Sequence, residues 1–334
     1  MRTAVLGMGT VAPVHLQAIA QIPELQLVAT ADLDPTRNCP GILHYPSAEA
    51  LLADENLELD AVHLCLPHDL HYPIARLALA RKLAVFTEKP VTESIETAKA
   101  LCALSEEPGA KVAVCFQNRL NPCTRYLLQA LKEKRLGELE GLRAHVYWAR
   151  NKAYYEAAPW RGELARAGSG SLINQAIHTL DLMQLAAGAA PVQVSGQVSQ
   201  LSDLGTNVDV EDTAVALVHF ANGLSGFFCS TNCNRSNAPI ELIVYCEKGE
   251  YQLRGPNLYC CQGNKIDLVA SDSLRDGEKN YYGASHAEMI KAFYAWLQGD
   301  QTAPVVSVAE AMVSLRLIEA IKKSQGQPVP YKAD

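Results

Sequence analysis

Two groups of residues in this chain have types and spacings suited to moving a proton. The first is Lys89, in the run Ala84-Val85-Phe86-Thr87-Glu88-Lys89-Pro90. Val85, Phe86 and Thr87 favour a short buried strand. Pro90 ends it, because proline lacks an N–H and biases Lys89 towards extended backbone. A lysine therefore sits at the carboxyl end of a strand, where open α/β sheets bind their ligands. The second group is Asn174, His178 and Asp181, four and then three residues apart in an apolar run with Leu172, Ile173, Ile177, Leu180 and Met183. The periodicity predicts one continuous helix over 171–187, which would put the three on one face. Buried polar groups need partners or a function. A histidine and a lysine sharing one oxygen can take a proton from a hydroxyl and return it. Taken alone, each group also has an ordinary reading, as a surface Lys–Glu pair or as a satisfied core histidine. The surrounding pattern weighs against both.

Residues 3–7 read as a strand, followed by Gly7-Met8-Gly9-Thr10-Val11-Ala12 and a helical pattern through Leu16, Ile19 and Ile22. This is G-x-G-x-x-A between a strand and a helix. Gly7 permits the tight turn and Gly9 lets a pyrophosphate approach the backbone. Ala12 allows close helix–sheet packing, and the helix N-terminus, with Thr10 and Val11 before it, offers N–H donors. A second strand, 25–31, ends at Asp32, 20 residues beyond Ala12 (32 − 12 = 20). A carboxylate there suits the ribose 2′-hydroxyl of NAD. Asp34 is a near alternative that opens the turn before Pro35, and Arg37 leaves room for NADP.

Further strands follow at 60–66, from 84 up to Pro90, and at 111–116, with helices between them, Ser47 capping a short one and Thr92 or Ser94 another. The alternation predicts a doubly wound parallel sheet of Rossmann type over 1–120. Its strand ends would gather Pro67, His68 and His71, then Glu88 and Lys89, all expected to line the cofactor, then Asn118 and Arg119. Beyond residue 120 the pattern changes. An amphipathic helix over 122–135 precedes a strand at 142–150. A loop over 151–167 carries Tyr154, Tyr155, Trp160, Arg161 and Arg166. Consecutive strand-like stretches at 192–202, 213–220, 225–231, 240–245 and 251–254 predict a second α/β domain, 121–334, with a large, mostly antiparallel open sheet. Two closing helices, 285–297 and 308–323, finish the chain and are expected to pack back on the first domain.

A formal net charge of −7 with no long basic run argues against nucleic-acid and anionic-membrane partners. No apolar run is long enough to span a bilayer. The first strand begins almost at once, leaving no room for a signal peptide. Ten cysteines without a C-x-x-C read as buried free thiols of a reducing cytoplasm, and no metal site is expected.

Taken together, GMGTVAPVH, LCLPHDLH, EKP, QNRLNP, PWRG, GSGSLINQAIHTLD, VEDTA and YGASH, in that order along almost the whole chain, resemble the Gfo/Idh/MocA family of nicotinamide-dependent oxidoreductases. The EKP and H-x-x-D segments are the most specific. The resemblance implies that Lys89 is the active-site lysine and that His178 is the acid/base residue or its close partner. It also implies subunit association, as a homodimer or homotetramer, through the second sheet. Asn174 stands where aspartate is common in the inositol-dehydrogenase branch, and asparagine takes up no proton.

The expected activity is hydride transfer between NAD, or NADP, and a secondary alcohol of a sugar, cyclitol or sugar derivative. His178 and Lys89 would serve the hydroxyl proton. Asn118, Arg119, Trp160, Arg161, Asn174 and Asp181 would surround the substrate, with Asp181 more suited to orienting the imidazole or anchoring its helix. Two other readings stay open: a sensor without turnover, and a hydrolase- or lyase-type relative that recycles bound NAD. Which sugar or cyclitol is used is not written in the motifs.

Overall fold

The computed structural model describes residues 1–205, 207–272 and 285–332. They divide into two compact units: Met1–Gln117 with Ser285–Met312, and the remainder. In chain order, the first unit opens with β1 (Arg2–Leu6), α1 (Ala12–Ala20), β2 (Gln26–Ala31), β3 (Leu43–Tyr45) and α2 (Ala48–Ala53). It continues with β4 (Ala61–Leu64), α3 (His71–Ala80), β5 (Ala84–Glu88), α4 (Ile95–Ser105) and β6 (Val112–Cys115). The second unit runs α5 (Pro122–Lys132), β7 (Leu139–Tyr147), α6 (Lys152–Glu156), α7 (Leu164–Ala167), α8 (Ser171–Asn174), α9 (Ile177–Ala187) and β8 (Pro191–Ser199). Then come β9 (Thr213–Phe220), β10 (Ser225–Thr231), β11 (Glu241–Cys246), β12 (Gly249–Arg254), β13 (Asn257–Gln262) and β14 (Lys265–Ser271). The chain closes with α10 (His286–Leu297), which belongs to the first unit, α11 (Val308–Ser324) and β15 (Val329–Pro330).

The first sheet is parallel, in the order β3-β2-β1-β4-β5-β6. That is the order of the doubly wound dinucleotide-binding fold. Strands β4, β5 and β6 are buried along their whole length, as expected when helices cover both faces. Ser47 Oγ accepts the Ala50 N–H at the start of α2, and Ser94 Oγ accepts the Thr97 N–H at the start of α4. Pairing of Leu6 with Ala31 and Leu64, of Leu64 with Thr87, and of Glu88 with Cys115 aligns the strand ends. Gly7, Asp32 and Lys89 follow those ends directly, and Pro67 lies three residues past the end of β4.

The second sheet has nine strands in the order β14-β13-β12-β11-β7-β10-β9-β8-β15. All described pairings in it are antiparallel except β10 with β7. Helix α9 packs on β7, β10 and β11. The sequence reading passes over β3, β13, β14 and β15. Strand β3 has only three residues and β15 two, too few for an alternation to show, and β14 leaves Ile266 and Leu268 exposed. The 151–167 segment is no open loop, since α6, α7 and a short 3₁₀ turn (Pro159–Gly162) fall within it.

The expected single helix over 171–187 is in fact two. The Ala176 N–H reaches back five residues to the Ser171 carbonyl, so the first turns widen and α9 starts afresh at Ile177. Asn174 is thus on α8 while His178 and Asp181 are on α9, and the three do not share one regular helical face. The side chain of Gln175 at the break donates to the Tyr154 hydroxyl (2.9 Å) and accepts from Asn232 (3.0 Å). Neither glycine nor proline marks the break, so local propensity gives no sign of it.

Candidate active site

In the first unit, Gly7 has φ +88°, and a Cβ there would lie 2.4 Å from the Cys65 carbonyl oxygen. Only glycine fits. Gly9 is different, because a Cβ at this position would meet nothing within 4 Å. The fold itself does not call for glycine at 9. The open space there suits a ligand approaching the backbone. The first turn of α1 has no side-chain cap, which suits N–H groups meant for phosphate oxygens. Asp32 Oδ2 accepts the Met8 N–H (2.7 Å) and Oδ1 accepts the Asp34 N–H (2.8 Å). Its carboxylate is thereby held at the end of β2, beside the glycine turn. Arg37 is ion-paired with Asp34 (3.3 Å). These residues fit a dinucleotide: Gly7–Val11 and the start of α1 would hold the pyrophosphate, and Asp32 the adenosine ribose.

The loops after β4 and β5 are tied to each other. His71 is fully buried, with Nδ1 2.8 Å from the Pro90 carbonyl and Nε2 3.0 Å from the Leu66 carbonyl. Burial holds its ring below the ordinary imidazole range, although both carbonyls pull the other way. A neutral ring donates to only one of them at a time. His71 thus links the strand ends, and its ring lies tilted by 55° against the buried His68. Glu88 is buried too, and Lys89 beside it is half-buried. Glu88 Oε1 lies 3.0 Å from His15 Nε2 and 3.5 Å from His286 Nε2. Glu88, Cys115 and His286 also bring three metal-ligand-type atoms within 4.8 Å of one another, a convergence that no cysteine spacing signals. Of the YGASH motif, residues 282–284 lie outside the described residues.

In the second unit, Asp181 is engaged by a two-pronged contact. Arg119 Nε donates to Oδ2 (2.8 Å) and Nη2 to Oδ1 (2.7 Å), and Ser314 Oγ donates to Oδ1 (3.3 Å). The pair ties α9 to the turn after β6. The neighbouring Asn118 is buried, and its Oδ1 has no hydrogen-bond partner among the described residues. His178 is buried one turn before Asp181. Asn174 Nδ2 donates to the Ser169 carbonyl (3.4 Å), back into the glycine-rich segment. The Arg161 guanidinium lies over the rings of Tyr154 (4.6 Å) and Trp160 (5.9 Å). Through Tyr154 and Gln175 this stack is bonded to the break between α8 and α9.

One residue with a clear role here escapes the sequence reading, although its motif is in it. Glu211, in VEDTA, is buried and accepts from the Ser169 hydroxyl (2.8 Å) and from the N–H groups of Gly170 (2.8 Å) and Leu172 (3.0 Å). Burial raises its carboxyl, against the opposing pull of these three donors. A Cβ at Gly170 would sit 1.8 Å from the Glu211 carbonyl oxygen, so glycine is obligatory there. Glu211 thus holds the segment that leads into Asn174 and His178.

A strand order of 3-2-1-4-5-6 with this glycine turn and acidic strand end defines a nicotinamide-dinucleotide-binding oxidoreductase fold. Residues 1–116 match the family model for the oxidoreductase family with an NAD-binding Rossmann fold, and 124–252 match the GFO/IDH/MocA C-terminal domain. The chain belongs to the GFO/IDH/MocA family of NAD-dependent oxidoreductases. The inositol 2-dehydrogenase of Rhizobium meliloti is 26% identical over 331 residues, 97% of this chain and 96% of that protein. The UDP-N-acetylglucosamine 3-dehydrogenase of Acidithiobacillus ferrooxidans is 29% identical over 226 residues, 67% of this chain and 64% of that protein. Among solved structures, the WlbA dehydrogenase of Bordetella pertussis, in complex with NADH and UDP-GlcNAcA, aligns with a TM-score of 0.84 at 26% identity. That alignment covers 100% of this chain and 99% of the other. No helix among the described residues is long and apolar enough to cross a membrane.

Proposed function

We propose that this enzyme transfers a hydride between NAD and a secondary alcohol on the ring of a sugar, cyclitol or sugar derivative, with Lys89 and His178 serving the hydroxyl proton. The observation that carries the substrate class is the end-to-end similarity to inositol 2-dehydrogenase. The similarity to two dehydrogenases whose names or bound ligands are nucleotide sugars supports it. Bound NAD supplies the hydride acceptor, C4 of its nicotinamide. His178 takes the hydroxyl proton as the hydride leaves. The Lys89 ammonium donates to the same oxygen and stabilises the charge that develops on it. In the reverse direction His178 returns the proton while Lys89 keeps its hydrogen bond to the oxygen. Asn174 orients the substrate or His178 by hydrogen bonding and carries no proton itself. The test is NADH formation, followed by absorbance, across a panel of cyclitols, free sugars and nucleotide sugars. Net NADH with one ring alcohol is the expected result. Product without net NADH, or binding without turnover, would overturn it.

Cofactor choice follows from Asp32, whose carboxylate accepts ribose hydroxyls and repels a 2′-phosphate. The pairing of Arg37 with Asp34 supports the same preference. NADH is expected to bind at least roughly tenfold tighter than NADPH, about 1.4 kcal/mol. Fluorescence titration of both cofactors measures this, and equal affinities would shift the assignment to Arg37.

The enzyme associates with itself through the outer face of the second sheet. Val215, Leu217 and Phe227 are 40%, 38% and 47% exposed there, and Phe227 pairs across the strands with Leu217. A contiguous apolar face of this kind is unusual on a monomer. Phe227→Asp should lower the mass measured by light scattering on a sizing column to that of a smaller species, and an unchanged mass would exclude this face. A reducing cytoplasm is the compartment supported by the ten cysteines, all of them free thiols.

A further inference from the structure

A buried chain of hydrogen bonds runs through the first unit from Thr3 to Glu88, and its direction can be followed atom by atom. Thr3 Oγ1 donates its only proton to the Ala61 carbonyl (3.2 Å) and accepts from the Tyr294 hydroxyl (2.8 Å). Tyr294 then has no proton left for His63 Nε2, 2.8 Å away, so that nitrogen must donate to the tyrosine oxygen. Burial pushes His63 well below the ordinary imidazole range, against the pull of Glu88. A neutral His63 that donates from Nε2 has a lone pair on Nδ1. His15 Nδ1, 2.9 Å from that lone pair, must donate to it. What remains is His15 Nε2, 3.0 Å from Glu88 Oε1. In a neutral His15 this nitrogen would point a second lone pair at the carboxylate oxygen.

We propose that His15 carries both ring protons, and that this buried imidazolium clamps the Glu88 carboxylate as a positioning residue for Lys89. The other oxygen, Glu88 Oε2, accepts the backbone N–H of Lys89 (3.3 Å). The clamp therefore acts on the lysine through one intervening group. The link to catalysis rests on the role proposed for Lys89 above, whereas the protonation of His15 does not.

The surroundings agree with one positive and one negative charge. Burial alone would raise Glu88, but the bonds from His15 and His286 outweigh it and hold the carboxyl well below the usual carboxylate range. The groups facing the pair are His63 from β4, Cys65 just beyond it, Cys115 from β6, and His286 and Tyr294 from α10, with His71 at the start of α3 and Lys89 just past β5. Burial and the Glu88 charge push the thiols of Cys65 and Cys115 well above their ordinary range, so neither adds a negative charge. A metal ion held by Glu88, Cys115 and His286 would compete for the carboxylate oxygen that the imidazolium takes.

The test is nitrogen NMR of the full chain, with ¹⁵N-labelled histidine, at about pH 8, well above the ordinary imidazole value near 6.5. His15, assigned by its loss in His15→Gln, should show two protonated ring nitrogens. Thr3→Val removes the acceptor of the Tyr294 proton. That hydroxyl then donates to His63 Nε2, His63 donates from Nδ1, and His15 is left with one proton, on Nε2, facing Glu88. Thr3→Val should therefore turn His15 neutral. Tyr294→Phe should do the same, by freeing His63 to change tautomer. A neutral His15 in the wild type, a charged His15 in both variants, or a stoichiometric metal found by elemental analysis would overturn the proposal. His15→Gln should lower kcat by roughly ten- to hundredfold with little change in KM, as expected when a reacting group is displaced slightly. An unchanged kcat would remove the positioning role. If Lys89→Met proved fully active, the catalytic reading would fall while the NMR result still stood.

Discussion

Lys89→Met and His178→Ala are each expected to lower kcat by about 10²–10⁴-fold, the usual contribution of a general acid–base group. Lys89 follows the buried strand β5, whose neighbours on both sides fix its place. His178 is buried on α9, which is anchored one turn later by Asp181. Neither substitution touches the glycine turn or Asp32, so NADH affinity should change little. On the proposed mechanism, in which both groups serve one proton transfer, the double variant should lose far less than the product of the two single losses. Steady-state kinetics of the four proteins, with NADH titrations alongside, make the comparison. Wild-type-like turnover in either single variant would rule out this assignment of the chemistry.

Asp181→Ala is expected to destabilise the second unit by about 3–5 kcal/mol, because it leaves the Arg119 guanidinium buried without its carboxylate. The side chains are 1% and 12% exposed, respectively, so solvent does little to screen the loss. The unfolding midpoint should fall by roughly 10 °C. Arg119→Met combined with Asp181→Leu should recover much of the loss, since an apolar pair of similar volume can replace a buried ion pair. Thermal unfolding and kcat together separate two roles for Asp181. If it serves chiefly to orient His178, Asp181→Asn should lower kcat with little change in the midpoint. The two-pronged contact with Arg119 favours the stability effect.

Much of the first unit was legible because its signals are local. Fully buried parallel strands appear as short apolar runs, and Gly7 and Asp32 lie where a βαβ unit requires them. Lys89 could be placed at a strand end from seven consecutive residues. The antiparallel character of the second sheet could be read from strands that follow one another without intervening helices. Where a strand is only two or three residues long, as in β3 and β15, it went unread.

What tertiary structure decided is where the polar side chains point and what they bond. Asp181 finds Arg119, 62 residues away, and Tyr294 finds Thr3, 291 residues away. Glu211 reaches back 41 residues to the Gly170 N–H. The break at Gln175 arises the same way, since its amide is bonded to Tyr154 and Asn232, and nothing in the local propensity of Leu-Ile-Asn-Gln-Ala-Ile opposes one unbroken helix. The pattern of apolar residues determines which elements form, because burial acts on each residue through its own surface and its near neighbours. Hydrogen bonds and ion pairs are directional and short-ranged, so their partners are chosen only when distant segments have been packed together.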